Sequence, residues 1–408
     1  MTAAPPLDLA PVLAAAGLAL REMVQAASGD GAARLSAARR FVALTDGLRS
    51  GADEAVAALA ATLDQGGPAA PAAVRLLAAL GTEAATVHLL AAAHGGGLAL
   101  SQGALQALTQ LEPSLANAAL LIARWQRPPA PGVGFQLARA IARQPATPAL
   151  LDWASALLAD PPGTEYADAV VRGIAASRSP MIVDWLRALS GSRRAEARTA
   201  ALGALLRAGD AGGLDALLRL AGSGGAASRV RALVWLYGAP FAAVEPAFSA
   251  ALQDASAALR EAALLGLPFC ASPPMLPAGA ALLADRKPAV AHQAQAVYLL
   301  LTGVPTPLDP ASAQRLAMQV AARMPVTVRC LQGRLLEPTQ LAVLLCDASF
   351  AAIADAALRM LSADAPAFQP DGDLIRNLAA VDDWLQRAQA MAQQMPPGSR
   401  WYAGKRLP

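Results

Sequence analysis

"ALQDASAALREAALLGLPF", residues 251–269, sets the terms for the whole chain. An apolar end leads to a polar corner at Asp254, Arg260 follows six residues later, and a new apolar stripe begins. Slid along the sequence, the segment recurs. Asp254 is matched by Asp285, 31 residues on, and by Asp347, and the slot holds Ser223 and Ser192 in the other direction, with Asp160 one residue out of register. Arg198, Arg229 and Arg260 occupy the arginine slot at the same spacing. Three residues further on stand Ala201, Ala232, Ala263, Ala294 and Ala356. Seven beyond the arginine slot stand Leu205, Leu236, Leu267, Tyr298 and Met360. Several columns sharing one register mark an internal repeat, and a two-helix unit of this length buries its apolar stripe only by stacking on its neighbours.

Composition agrees with an all-α chain. Of the 408 residues 55% are hydrophobic but only 4% aromatic, and the apolar share is mostly Ala and Leu, the strongest helix formers. No stretch alternates with the period of a strand. First helices are predicted at 53–64, 83–93, 115–126, 147–159, 180–190, 211–221, 242–253 and 275–284. Second helices are predicted at 71–80, 103–111, 134–143, 166–176, 195–207, 228–237, 257–266 and 289–301, with Gly and Pro punctuation between pairs. The small Ala column lets helices approach closely, and the Leu column fills the space between repeats.

The boundaries follow from where the register holds. Residues 1–50 form an N-terminal helical cap, 51–301 the array, 302–362 degenerate terminal repeats, and 363–408 a closing helix at about 374–394 with a tail. "TGVPTPLDP" (302–310) interrupts the register, and "VAARMPVTVRC" (320–330) stands where a second helix belongs.

"ALQDASAALREAALLGL" (251–267) resembles a HEAT-type repeat, and "LLRAGDAGGLDALLRLAGSGGAASRVRALVWLYG" (205–238) resembles the shorter HEAT-like variety, below the usual ~40–47 residues. The resemblance covers about 50–361 and implies a right-handed α-solenoid of about nine or ten helix pairs with terminal caps. "RRFVALTDGLRSGADEAVAAL" (39–59) and "GSRWYAGKRL" (398–407) are similar to HEAT-like proteins associated with bacterial type VI secretion loci, which implies a cytoplasmic accessory or adaptor.

Chemistry-bearing motifs are scarce. The formal net charge is +3, from 33 basic and 30 acidic residues, too balanced for a dedicated nucleic-acid binder. Only Lys287 and Lys405 are lysines, the arginine bias expected of a GC-rich coding sequence. Cys270, Cys330 and Cys346 form no CxxC pair, as in reduced, buried thiols. The N-terminus has no basic region of a secretory signal, and the uncharged stretch from 84 to 111 is broken by His94-Gly95-Gly96-Gly97, so no membrane span is expected. That His-Gly-Gly-Gly turn is the shape of an esterase oxyanion hole, but no GxSxG accompanies it and it falls at a helix-to-helix corner. His88 and His94 lie six apart, off the i, i+4 spacing of a helical zinc site, and His292 stands alone. No metal and no cofactor is expected. Gly404-Lys405 lacks the following Ser or Thr of a phosphate loop. Asp152-Trp153 and Asp184-Trp185 sit 32 residues apart at equivalent places and read as packing.

The arginine ladder has two readings. Guanidiniums one repeat apart can track a phosphate backbone, as in helical-repeat DNA glycosylases, or each can bond the corner Asp, Ser or carbonyls of its own or the next repeat. Asp254, six residues before Arg260, favours the corner. The expected function is a non-catalytic protein-binding scaffold or adaptor, not an enzyme, whose second helices line a concave surface for protein partners. Arg198, Arg229, Arg231 and His292 are the candidate contacts on or near it, and Trp401 and Tyr402 are candidates in the tail, where they either dock or cap. The alternatives are a HEAT-like enzyme, of the phycobilin-lyase or DNA-glycosylase kind, and a structural subunit of a larger complex. Nucleic acid and membrane are not expected as partners, and nothing in the motifs fixes the oligomeric state.

Overall fold

The computed structural model describes residues 8–26, 30–125, 131–176, 179–210, 212–237, 239, 241–270, 273–305, 309–323, 330–331, 334–335, 337–347, 350–362, 366, 368, 374–395, 401–402 and 405–406. Within them the chain is helical apart from two antiparallel pairs of two-residue strands. It divides into two compact units, one of residues 1–182, 346–348 and 367–381, the other of 183–345, 349–366 and 382–408.

The first unit opens with α1 (Ala10–Gln25) and α2 (Gly31–Arg49), packed on each other. Four helix pairs follow: α3 (Ala52–Gln65) with α4 (Ala70–Leu80), α5 (Glu83–Gly95) with α6 (Leu98–Leu108), α7 (Leu115–Trp125) with α8 (Pro131–Ala142), and α9 (Pro148–Ala159) with α10 (Glu165–Ala175). First helices α3, α5, α7 and α9 pack in succession as one layer, and second helices α4, α6, α8 and α10 as another. This two-layer order is what stacked repeats require, because each apolar stripe finds its cover on the neighbouring pair.

The local chemistry explains the stops and starts. Thr82 caps α5 by accepting from the Ala85 N–H, and Thr147 caps α9 by accepting from the Leu150 N–H. Gly81 ends α4 in the left-handed region at φ 66°, and a Cβ there would also press on Glu112 at 2.9 Å. The repeat spacing also carries a buried polar link: Thr86 Oγ1 bonds Asn117 Oδ1 at 2.7 Å, 31 residues away, while Asn117 Nδ2 donates to the Gly81 carbonyl at 2.9 Å. α6 starts five residues before the predicted 103, because Gly97 caps it and "LALSQ" holds no helix breaker.

After α11 (Pro180–Ser190), the second unit holds α12 (Ala195–Arg207), α13 (Gly212–Ser223), α14 (Ala226–Leu236), α15 (Phe241–Leu252), α16 (Ala257–Cys270), α17 (Leu276–Ala281) and α18 (Pro288–Thr302). Here α12, α14, α16 and α18 pack in succession as the second-helix layer, and α13, α15 and α17 as the first. The two repeat columns face inward as their spacing demands: Ala201, Ala232, Ala263 and Ala294 are buried, and so are Leu205, Leu236, Leu267 and Tyr298. Burying each Leu contributes about 1.5–3 kcal/mol. Trp235 of α14 lies so close to α12 that a Cβ on Gly203 would overlap its indole ring.

Past Gly303, which ends α18 at φ 69°, the register weakens. α19 (Pro310–Ala322) starts on Asp309, whose carboxylate accepts from the Ala311 and Ser312 N–H groups. In place of a second helix come β1 (Cys330–Leu331) and β2 (Arg334–Leu335). Then follow α20 (Pro338–Leu344), α21 (Ala351–Leu361), the closing helix α22 (Leu374–Gln394), and β3 (Trp401–Tyr402) paired with β4 (Lys405–Arg406). No helix among the described residues is long and apolar enough to cross a membrane.

Candidate functional site

The arginine ladder lies along the corners of the second unit. Each guanidinium first bonds a carbonyl of its own corner. Arg198 Nη1 donates to Ser192 at 2.8 Å, Arg229 Nε to Ala221 at 3.0 Å, and Arg260 Nη1 to Asp254 and Ala255 at 2.8 and 3.0 Å. The second tie runs one corner onward. Arg229 Nη1 meets Asp254 Oδ2 at 2.8 Å, and Arg260 grips Asp285 with both edge nitrogens, Nε to Oδ2 at 2.6 Å and Nη2 to Oδ1 at 2.9 Å. For Arg198 the onward slot is Ser223, and its hydroxyl turns back to the Arg219 carbonyl.

The electrostatics follow the geometry. Arg260 holds the Asp285 carboxyl below the ordinary carboxylate range, helped by the Lys287 N–H, and the Arg260 guanidinium is raised in turn by Asp285. Asp254 is lowered too, first by the Ser256 N–H and then by Arg229. The Arg260–Asp285 pair is only 7% and 5% exposed, against 22% and 20% for Arg229–Asp254. These corners bind the repeats to one another.

The other candidates fall elsewhere. Arg231 is half-buried on α14. His292 is exposed on α18, and on that same face Gln295, Ala296 and Leu299 are exposed at i+3, i+4 and i+7, Leu299 to 48%. Trp401 and Tyr402 pair through their backbones with Arg406 and Lys405, and their side chains lie outside the described residues. His88 and His94 are both exposed, and His94 Nδ1 is bonded to the Leu90 carbonyl at 2.7 Å. Cys346 is a buried thiol, whereas the side chains of Cys270 and Cys330 lie outside the described residues. Among the described residues no group of three or more His, Cys, Asp or Glu is placed to hold a metal.

The first unit contains a feature that no motif announces. A pocket of ≈ 560 Å³ opens between α1, α2, α4 and α6, and Leu374 at the start of α22 also lines it. Leu20, Met23, Val24, Val74 and Leu100 supply its remaining apolar wall, and Val24 is 75% exposed. Arg34, Arg75 and Gln106 are its polar members. Arg34 Nη1 donates to the Cys346 carbonyl at 2.6 Å, while its buried Nε–H has no acceptor among the described residues. A buried donor left unpaired costs about 1–3 kcal/mol. The sequence offers one faint sign of the pocket, the glycines 66, 67 and 103 that line it. Arg34 and its carbonyl partner stand 312 residues apart, beyond the reach of any local pattern.

No family model matches the chain, and no curated protein does. Among solved structures it is similar to human deoxyhypusine hydroxylase in complex with glycerol, at 21% identity and a TM-score of 0.29, over 59% of this chain and 94% of that one. That match corrects the expectation of a non-enzyme: the similar protein is a hydroxylase. At this TM-score the likeness assigns no activity to the chain.

Proposed function

We propose that the chain is a protein-binding scaffold or adaptor that engages its partner through the second-helix layer of the second unit. The observation that carries this reading is the exposed face of α18, where His292, Gln295, Ala296 and Leu299 stand in one helical stripe. A rigid helix that offers an apolar side chain beside a polar one is the ordinary material of a protein interface. Arg231 on α14 lies in the same layer of helices. The pairing of Arg229 and Arg260 with carboxylates weighs against a phosphate-tracking ladder, which needs open guanidiniums.

The finer setting rests on sequence. The corner Asp, the Arg six residues on and the Ala-rich second helix support a HEAT-like array. Residues 39–59 and 398–407 support an accessory of a bacterial type VI secretion system acting in the cytoplasm. The test is affinity purification of a tagged chain from its native cells with nuclease treatment in parallel, repeated with Leu299→Glu and His292→Ala. A stoichiometric, nuclease-resistant protein partner that Leu299→Glu releases supports the reading. Nucleic acid or a coloured ligand in place of a protein contradicts it.

A further inference from the structure

Arg34 and Arg260 each hold a backbone carbonyl through Nη1 and differ at the opposite edge. Arg260 fills its Nε/Nη2 edge with the Asp285 carboxylate, whereas the buried Arg34 Nε–H has no acceptor among the described residues. Arg34 also lines the apolar pocket of the first unit, and among the described residues that line it there is no Asp or Glu. Arg75 adds a second guanidinium to the same walls. Among its liners are Gly66, Gly67 and Gly103, and a Cβ at any of the three would meet nothing within 4 Å, so the pocket has room to spare. Its ≈ 560 Å³ falls within the roughly 300–1,000 Å³ of small-molecule sites.

We infer that this pocket binds an alkyl monocarboxylate. The apolar chain lies against Leu20, Met23, Val74 and Leu100, and the carboxylate pairs with the charge of Arg34 where that side chain lines the wall. The Cys346 carbonyl fixes the guanidinium in place before the ligand arrives, so little rotamer freedom is lost on binding. The site is independent of the α18 face, and either can fail without the other.

The experiment is calorimetric titration of the full chain with dodecanoate below its aggregation concentration, with dodecyltrimethylammonium as the matched cation. Wild-type protein is expected to bind dodecanoate at one saturable site and to show none for the cation. Arg34→Gln should weaken dodecanoate by roughly tenfold to a hundredfold, the loss of a hydrogen bond to a charged group. Gly103→Leu leaves Arg34 in place, fills the pocket from a helical position with open space around it, and should abolish binding with the fold intact by circular dichroism. Three results would overturn the inference: no saturable dodecanoate site, equal binding of the cation, or dodecanoate binding that Gly103→Leu does not change. Binding of an apolar peptide with a free C-terminal carboxylate, in the absence of dodecanoate binding, would make the occupant a peptide and overturn it equally.

Discussion

The corners of the second unit and the pocket of the first use the same side chain to opposite ends. At the corner, Arg260 has acceptors for Nη1, Nε and Nη2, all supplied by the chain, and it is almost wholly buried. At the pocket, Arg34 is half-buried beside apolar walls, and its bond to the described residues is that of Nη1 to the Cys346 carbonyl. A guanidinium whose partners are internal fixes the distance between repeats. One that lines an apolar pocket puts its charge where a ligand can meet it. Stability and recognition are thus separable in this fold, and substitutions can pull them apart.

The largest effect belongs to the filled arginine. Arg260→Met leaves the Asp285 carboxylate buried without its partner and should lower unfolding stability by about 3–5 kcal/mol, read from the urea midpoint. Gly203→Val comes next: a side chain there must displace the Trp235 ring, and such overpacking costs about 1–3 kcal/mol, read as a lower thermal midpoint. The third effect is in acid. The folded-state pKa values of Asp254 and Asp285 lie below the ordinary 3.8, so their contribution is fully present above that value and is lost as pH falls through the lower folded value. Thermal midpoints measured from neutral pH downward should therefore fall below about pH 4, and Arg260→Met should flatten that limb. Arg229→Met is expected to do least to stability of these, because its pair with Asp254 is more exposed, and a midpoint loss as large as that of Arg260→Met would erase the gradient along the ladder.

Much of the architecture was legible because repeats multiply weak signals. One Asp–Arg spacing is common, but Arg198, Arg229 and Arg260 in register with two buried columns are not, and helices from Ala52 to Thr302 fall close to where the spacing puts them. Boundaries failed where a proline or glycine does not stop a helix. α16 runs on through Pro268 to Cys270, past the predicted end at 266. The arginine partners were legible only in kind. The spacing allowed the corner of the same repeat or of the next, and the fold gives Arg260 the Asp254 carbonyl of its own corner and the Asp285 carboxylate one corner on. The pocket escaped but for its glycines, since Leu20, Arg34, Val74, Leu100 and Leu374 share no spacing and meet only in three dimensions.

The most direct measurement is urea unfolding of wild type, Arg260→Met and Arg34→Met side by side. The filled edge should make Arg260→Met the weaker protein by a wide margin. Arg34→Met should stay near the wild-type midpoint, because the Cys346 bond it loses is offset by removal of a buried, unpaired Nε–H. Equal losses in the two variants would contradict the division between a structural arginine and one kept for a ligand.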